Sequence, residues 1–372
     1  MTAEETPASS TIDETTQAQT TTEALEWHAP VLVRIDEHTT IPHLLKERVQ
    51  RGATRPLILR KIGIGDTWRS ITAREFYDEV HALAAGLIAR GLEPGDRVAI
   101  MSRTRYEWTL LDFACWAAGL VPVPIYETSS IDQVAHVLVD ADVHLIITET
   151  VSMAEIVRAA AARENRDNTH VLSLDSEAIE TLIAEGSATP RERVLARSEA
   201  LTTDDIATIV YTSGTTGTPK GTVLSHENFT NLCLNAHAWM PEIAAGKDSR
   251  LLLFLPLAHV FARFLQVFQI SGNGVLGHAS NIKNLLGDLA SFKPSYLLVV
   301  PRVLEKIYNS ADTKASGPKR KIFRWAAKVA ITYSQALDTE EGPSASLKAQ
   351  HALADKLVYQ QIIRLVGGNA DY

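Results

Sequence analysis

Short apolar runs of strand length alternate with longer segments of helical period along most of this sequence, and no other feature restricts the fold as much. The segment "REFYDEVHALAAGLIARG", residues 74–91, places apolar side chains three or four positions apart and stops at Gly91. "LEPGDRVAI" reads as a Pro-Gly turn that enters a strand. "YEWTLLDFACWAAG" is a second apolar helix, and "LVPVPIY" is the strand after it. In "SSIDQVAHVLVD", Ser130 and Gln133 make a capping box ahead of a third helix, and "VHLIITE" is the next buried strand. "HVLSLD", "RLLLFLP", "GVLGHA" and "PSYLLVVP" continue the series. Strands separated by helices predict an α/β fold of mostly parallel sheets sandwiched by helices. No internal repeat is evident.

Composition narrows the class. With 372 residues, 45% of them hydrophobic, the chain can bury a large core as one big α/β domain or two smaller ones. A net charge of −8 and the lack of a long basic stretch argue against a nucleic-acid partner. Cys115 and Cys233 each sit in an apolar, helix-like context without metal-type spacing, and read as core thiols in a reducing cytosol. No apolar run is long enough to cross a bilayer, and the N-terminus lacks the layout of a signal peptide. Residues 1–25, rich in Thr, Glu, Ala and Ser, are expected to be a disordered tail, with the folded domain at 26–372.

The stretch "TIVYTSGTTGTPKGTVLSHENF" carries the chemistry. Ile206 to Tyr211 reads as a buried strand and Ser225 as the N-cap of a following helix. Between them, Thr212 to Gly221 holds three Gly and five Thr or Ser, with Lys220 as a mobile charge. Glycine lets a backbone approach an anion closely, and successive N–H groups can turn inward as a nest. Thr212, Ser213, Thr215, Thr216 and Thr218 add hydroxyl donors beside Gly214 and Gly217. A plain surface turn needs only one or two such residues, so an oligophosphate is the expected ligand. The loop is not a Walker A motif: counted from Gly214, the glycine that should precede the lysine falls on Pro219.

"YTSGTTGTPKG" resembles the phosphate-binding signature of the adenylate-forming, AMP-binding superfamily. "FLPLAHVFAR", residues 254–263, resembles the second signature of its long-chain acyl-CoA synthetase branch. "GLEPGDRVAIMS", "WAAGLVPVPIYETSS" and "KPSYLLVVPRVLEKIY" look like the same branch, and the similarity runs from about Thr40 onward. The resemblance implies a ligase that joins a long-chain fatty acid to coenzyme A in two steps. A fatty carboxylate attacks the α-phosphorus of Mg-ATP, giving acyl-AMP and pyrophosphate; coenzyme A then displaces AMP. ATP, Mg²⁺ and coenzyme A are the implied cofactors and co-substrates. Thr212 to Thr218 and Lys220 would hold the β- and γ-phosphates, and His259 would stand beside the acyl carboxylate and α-phosphate. By itself, His259 equally suits a histidine capping a helix, because it follows the end of "RLLLFLP".

Phe261, Arg263, Phe264 and Phe268 are the candidate acyl-binding residues. The Phe261, Phe264, Leu265, Phe268 stripe has helical spacing, which ordinary core packing also produces, and Tyr211 and Trp239 share that ambiguity. Arg263 stands where some bacterial relatives carry a gating tryptophan, so that gate is not expected here. The helix "KRKIFRWAAKVAITY" sets Arg320, Arg324 and Lys328 on one face and Ile322, Phe323, Ala326, Val329 and Ala330 opposite. It reads either as a peripheral membrane contact through 319–333 or, more plainly, as a surface helix packed on the fold. The location implied is cytoplasmic, with the inner membrane face as the site of any such contact.

Relatives of this branch continue past the point matching Tyr372, with an adenine-binding "GYGxTE"-like segment, a ribose-binding aspartate, a hinge and a small C-terminal domain bearing a catalytic lysine. No counterpart is found here, so the expectation is an N-terminal portion that does not complete the reaction alone. Two alternatives stay open: another carboxylate-adenylating enzyme of peptide-synthetase or aryl-acid type, and a non-catalytic chain that binds only phosphate or acyl ligand.

Overall fold

The computed structural model describes residues 30–370 apart from 64, 167, 213–218, 245, 247 and 248. The expected tail, 1–25, lies outside the described residues. Contacts divide the chain into Met1–Leu32 and Val33–Tyr372, and every element named below belongs to the second unit.

Helix α1 (Ile41–Gly52) precedes strands β1 (Pro56–Lys61) and β2 (Trp68–Thr72). Helix and strand then alternate as α2 (Ala73–Ala89), β3 (Arg97–Met101), α3 (Tyr106–Ala117), β4 (Val121–Ile125), α4 (Ile131–Asp140), β5 (Leu145–Thr148), α5 (Val151–Arg163) and β6 (His170–Ser173). Helices α6 (Ala178–Glu185) and α7 (Arg191–Ala200) lead to β7 (Ile206–Thr212) and β8 (Lys220–Ser225). There follow α8 (His226–Trp239), the single turn α9 (Pro241–Ala244), β9 (Arg250–Leu253), α10 (Val260–Ser271), β10 (Val275–His278) and α11 (Leu285–Phe292). The remainder is helical: α12 (Pro301–Lys314), α13 (Gly317–Leu337), α14 (Ala345–Ala354) and α15 (Gln360–Leu365).

Local signals set many of these boundaries. Thr72 and Glu75 form a capping box at the start of α2, and Ser130 and Gln133 form the expected one at α4. Past α2 the chain turns at Gly91 with φ 81°, a conformation glycine adopts without strain.

Two four-stranded sheets carry the fold. The first has the order β2-β1-β10-β9, with β1, β10 and β9 parallel and β2 antiparallel on the edge. The second, β4-β3-β5-β6, is parallel throughout. The α/β expectation holds. One expected strand does not form. The strand expected at "PSYLLVVP" makes a single bridge, Tyr296 to Leu251, and otherwise lends Leu297 and Val299 to the core as irregular chain. The strand at Ile206–Thr212 joins neither parallel sheet; it pairs antiparallel with β8. Prolines explain this. β4 is an edge strand, and Pro122 and Pro124 lack the N–H groups a neighbouring strand would need.

Helix α3 sits at the centre. All twelve of its residues are buried, as a helix apolar on every side must be. It packs on β3 and β4 of one sheet, and Thr109 hydrogen bonds His278 of β10 in the other at 2.7 Å. Phe76, Phe113, Trp116 and Phe229 form an aromatic line through this core, with successive centroids 5.7, 5.1 and 6.4 Å apart. Each well-placed pair adds about 0.5–1.5 kcal/mol beyond burial. Cys115 and Cys233 are buried free thiols.

The amphipathic helix predicted near residue 320 is α13. Phe323, Ala326 and Val329 are buried against α14 and the turn after it, while Ile322 remains 40% exposed. Arg320 and Arg324 turn onto Asp312 of α12, so two of the three basic residues are paired within the protein. Among the described residues no helix is long and apolar enough to cross a membrane.

Candidate active site

The loop of glycines and hydroxyls is presented by a hairpin. β7 and β8 pair with Tyr211 opposite Gly221 and Thr212 opposite Lys220. Ser213, Gly214, Thr215, Thr216, Gly217 and Thr218 lie outside the described residues; exposed Thr212 precedes them, and Pro219 and exposed Lys220 follow them. Gly221 lets the Ile209 and Tyr211 side chains pack close: a Cβ there would stand 2.9 Å from Ile209 Cγ2 and 3.2 Å from the Tyr211 Cζ and hydroxyl oxygen, and both side chains would have to shift. The return arm ends at Ser225, the predicted cap, which forms a capping box with Asn228 at the head of α8.

The base of the hairpin is fixed by buried polar contacts. Thr208 donates its hydroxyl proton to the Pro122 carbonyl at 2.7 Å, and Trp116 Nε1 donates to the Ala207 carbonyl at 2.7 Å. The Thr208 oxygen in turn accepts from Arg263 Nη1. The first contact joins β7 to the proline-bearing edge of β4 without a backbone ladder, and the other two tie β7 to α3 and to Arg263 further along the chain.

The second motif turns the chain from β9 into α10. Thr104 pins this turn, donating to the Leu255 carbonyl at 2.7 Å and accepting from the Leu257 N–H at 3.1 Å. His259 is the N-cap of α10, its Nδ1 accepting the Phe261 N–H at 3.3 Å. In the neutral ring this contact puts the proton on Nε2, so the exposed imidazole keeps a donor free of the cap. Capping and ligand contact are compatible in this histidine.

Hairpin and turn face a common cleft of about 420 Å³, within the range of small-molecule sites. Tyr126 and Ser129 line it from the end of β4, Tyr211, Thr212 and Pro219 from the hairpin, and His259 from α10. Thr212 and His259, proposed from separate motifs, thus border one space. Phe261, Arg263, Phe264 and Phe268 do not line it. The three phenylalanines make their own stack along α10, with centroids 6.3 and 5.8 Å apart, from Phe261 at 41% exposed to Phe268 at 3%.

Arg263 is wholly buried. Its guanidinium donates to both Asp112 oxygens, at 2.7 and 3.1 Å, and lies over the Trp116 ring. Gln266 donates to the same carboxylate at 2.9 Å, and Thr109 donates to Gln266 at 2.7 Å. Burial pushes the Asp112 carboxyl upward, and the Arg263 and Gln266 contacts oppose it. Sequence reasoning missed Asp112, although a carboxylate in the middle of the apolar run "YEWTLLDFACWAAG" was a signal that a buried partner must meet it. Among the described residues no group of three or more His, Cys, Asp or Glu is arranged to hold a metal ion.

Comparison with known proteins decides the family. Residues 45–351 match the AMP-binding enzymes. The chain belongs to that family. Two similar proteins are the long-chain-fatty-acid–CoA ligases FadD15 of Mycobacterium bovis and Mycobacterium tuberculosis, each 39% identical over 347 residues. The match covers 92% of this chain and 57% of each relative, so the chain spans little more than half their length. Among solved structures, a fatty acyl CoA synthetase of Mycobacterium tuberculosis superposes with a TM-score of 0.60 at 23% identity, over 73% of this chain and 51% of that one. VinN superposes with a TM-score of 0.60 at 17% identity, over 76% and 66%. At these identities the structures speak for the fold alone.

Proposed function

We propose that this protein is the adenylate-forming part of a ligase that activates long-chain fatty acids with ATP for transfer to coenzyme A. One observation carries the reading. Thr212 and Pro219, on the two arms of the hairpin, border the same cleft as His259, and Lys220 is the next residue after Pro219. The 39% identity to long-chain-fatty-acid–CoA ligases supports the choice of substrate class.

In the proposed reaction a fatty carboxylate oxygen bonds to the α-phosphorus of ATP while the bond to pyrophosphate breaks; the thiol of coenzyme A then attacks the acyl carbon and AMP leaves. Thr212, Ser213, Gly214, Thr215, Thr216, Gly217, Thr218 and Lys220 hold the β- and γ-phosphates and offset the charge on the departing pyrophosphate. His259 gives its Nε2 proton as a hydrogen bond to the carboxylate or α-phosphate. Mg²⁺ arrives on the nucleotide, held by phosphates and water. Phe261 and Phe264 offer apolar surface to the acyl chain, while Phe268 and Arg263 support that surface from the core.

The test is substrate profiling. The protein is titrated with ATP and with pyrophosphate, and its binding of palmitate, butyrate and benzoate is compared. Lys220→Ala combined with Thr216→Ala should weaken pyrophosphate binding roughly ten- to hundredfold, since charge-assisted contacts contribute about 1.5–3 kcal/mol each. Unchanged pyrophosphate binding would remove the loop from the site, and equal binding of benzoate would replace the fatty-acid reading with an aryl-acid one.

A further inference from the structure

We propose that His136 is a positioning residue for the glycine- and threonine-rich loop, working with Asp140 as a clamp on both arms of the β7–β8 hairpin. The idea rests on the reading of that loop as the phosphate-binding element.

His136 and Asp140 are four residues apart in α4 and therefore share a face. His136 Nε2 lies 2.7 Å from the Pro219 carbonyl oxygen. A carbonyl only accepts, so Nε2 carries the proton and donates. Pro219 is the residue just before β8, on the arm returning from the loop. On the outgoing arm, the Tyr211 hydroxyl donates to Asp140 Oδ2 at 2.6 Å. Burial first, and Asp140 second, push the Tyr211 hydroxyl upward, which keeps its proton in place. The two grips are coupled, because the His136 and Tyr211 rings meet edge to face at 5.8 Å and 85°.

The grip on Pro219 lies just outside the hairpin ladder, whose last pair is Thr212 with Lys220. It therefore constrains the first peptide that the ladder does not. A peptide unit is planar, so holding the Pro219 carbonyl toward α4 sets the Lys220 N–H on the opposite side and fixes where the lysine side chain begins. Helix α4 is a firm base for this. Its N-terminus is closed by the Ser130–Gln133 box, and Val134, Val137 and Leu138 are buried in the core of the second sheet. The cleft lined by Thr212 and His259 lies beside the clamped arms.

Two variants divide the side chain's properties. His136→Phe keeps a ring against Tyr211 and loses the donor; His136→Gln keeps an N–H donor and loses the ring. Amide hydrogen exchange at Lys220 and Gly221 is measured without ligand, and binding of inorganic tripolyphosphate is titrated. In the Phe variant exchange should quicken about tenfold and tripolyphosphate affinity should fall roughly five- to tenfold, the loss of one hydrogen bond. The Gln variant should stay within about twofold of the unmodified chain in both. Unchanged exchange in the Phe variant overturns the clamp, whatever the ligand does. Equal effects in both variants, with parallel loss of melting temperature, also overturn it, since ring packing alone would then explain them. Faster exchange in a protein whose unmodified form does not bind tripolyphosphate supports the clamp and overturns the phosphate reading instead.

Discussion

Asp112 and Arg263, 151 residues apart in sequence, meet through two hydrogen bonds in a core that leaves the arginine 0% and the aspartate 1% exposed. A third bond carries this pair to Thr208 on β7, so the central helix, the second-motif helix and the loop-bearing hairpin share one buried junction. Removing one partner should be costly. Asp112→Ala, which strands a buried guanidinium, should lower stability by about 3–5 kcal/mol. Asp112→Leu combined with Arg263→Met should recover much of that loss. Urea unfolding of the single and double variants checks both expectations.

A second prediction concerns the contact between α2 and α6. At Gly86 a Cβ would stand 1.9 Å from the Leu182 carbonyl oxygen, and backbone cannot swing aside as a side chain can. Gly86→Ala should cost about 1–3 kcal/mol by forcing the helices apart, outweighing the usual helical preference for alanine. Thermal melts would show the loss; an unchanged midpoint would mean that α6 can shift freely.

The phenylalanine stack on α10 separates packing from ligand contact. Phe268→Ala empties a buried site and should destabilise by about 3–5 kcal/mol. Phe261→Ala touches a largely exposed ring and should change stability by less than about 0.5 kcal/mol. If α10 guides the acyl chain, the preference for chain length should move in the Phe261 and Phe264 variants, at about 0.8 kcal/mol per methylene buried. Competition between laurate and palmitate for binding measures it.

Acid should weaken the fold from an identifiable pair of histidines. Burial lowers His226 and His278 to about 4, against roughly 6.5 in an unfolded chain. As pH falls below 6.5 the unfolded chain takes up protons that the folded one refuses. Stability is therefore full above about 6.5 and is lost progressively toward 4, by on the order of 3 kcal/mol per histidine. Glu107 and Glu149 add a second, lower window. Burial pushes both carboxyls up, but Arg105 and Arg60 on Glu107, and Arg103 and Arg105 on Glu149, hold them below 4.5. Urea midpoints at pH 7, 5.5 and 4.5 should fall in sequence, with a shallower slope in His226→Gln and His278→Gln.

What could be read in advance follows the range of the interaction. The Ser130–Gln133 box, the Ser225 cap and the turn at Gly91 are decided within a few residues, and each is found where expected. The partner of β7 was not legible, because it depends on two prolines in β4 more than eighty residues earlier. Thr212 and His259 could be nominated from their motifs, yet their common cleft arises only when the hairpin and the β9–α10 turn are both in place. Arg263 shows the limit most clearly. Sequence offered it to the substrate, while the carboxylate that holds it lies on α3, with no local trace of the pairing.

The strand order of the first sheet has a consequence in time. β1 takes its parallel partner from β10, where Ile58 faces Leu276, some two hundred residues further along the chain. At about 5–20 residues per second of synthesis, the β1 edge waits roughly 10–40 s for that partner. Leu57 and Ile58, both 0% exposed in the finished protein, are open to other strands during the interval. The second sheet draws all four of its strands from Arg97–Ser173 and meets no such delay. On the ribosome the vulnerable surface of this protein is therefore the first sheet, which begins earliest and closes last.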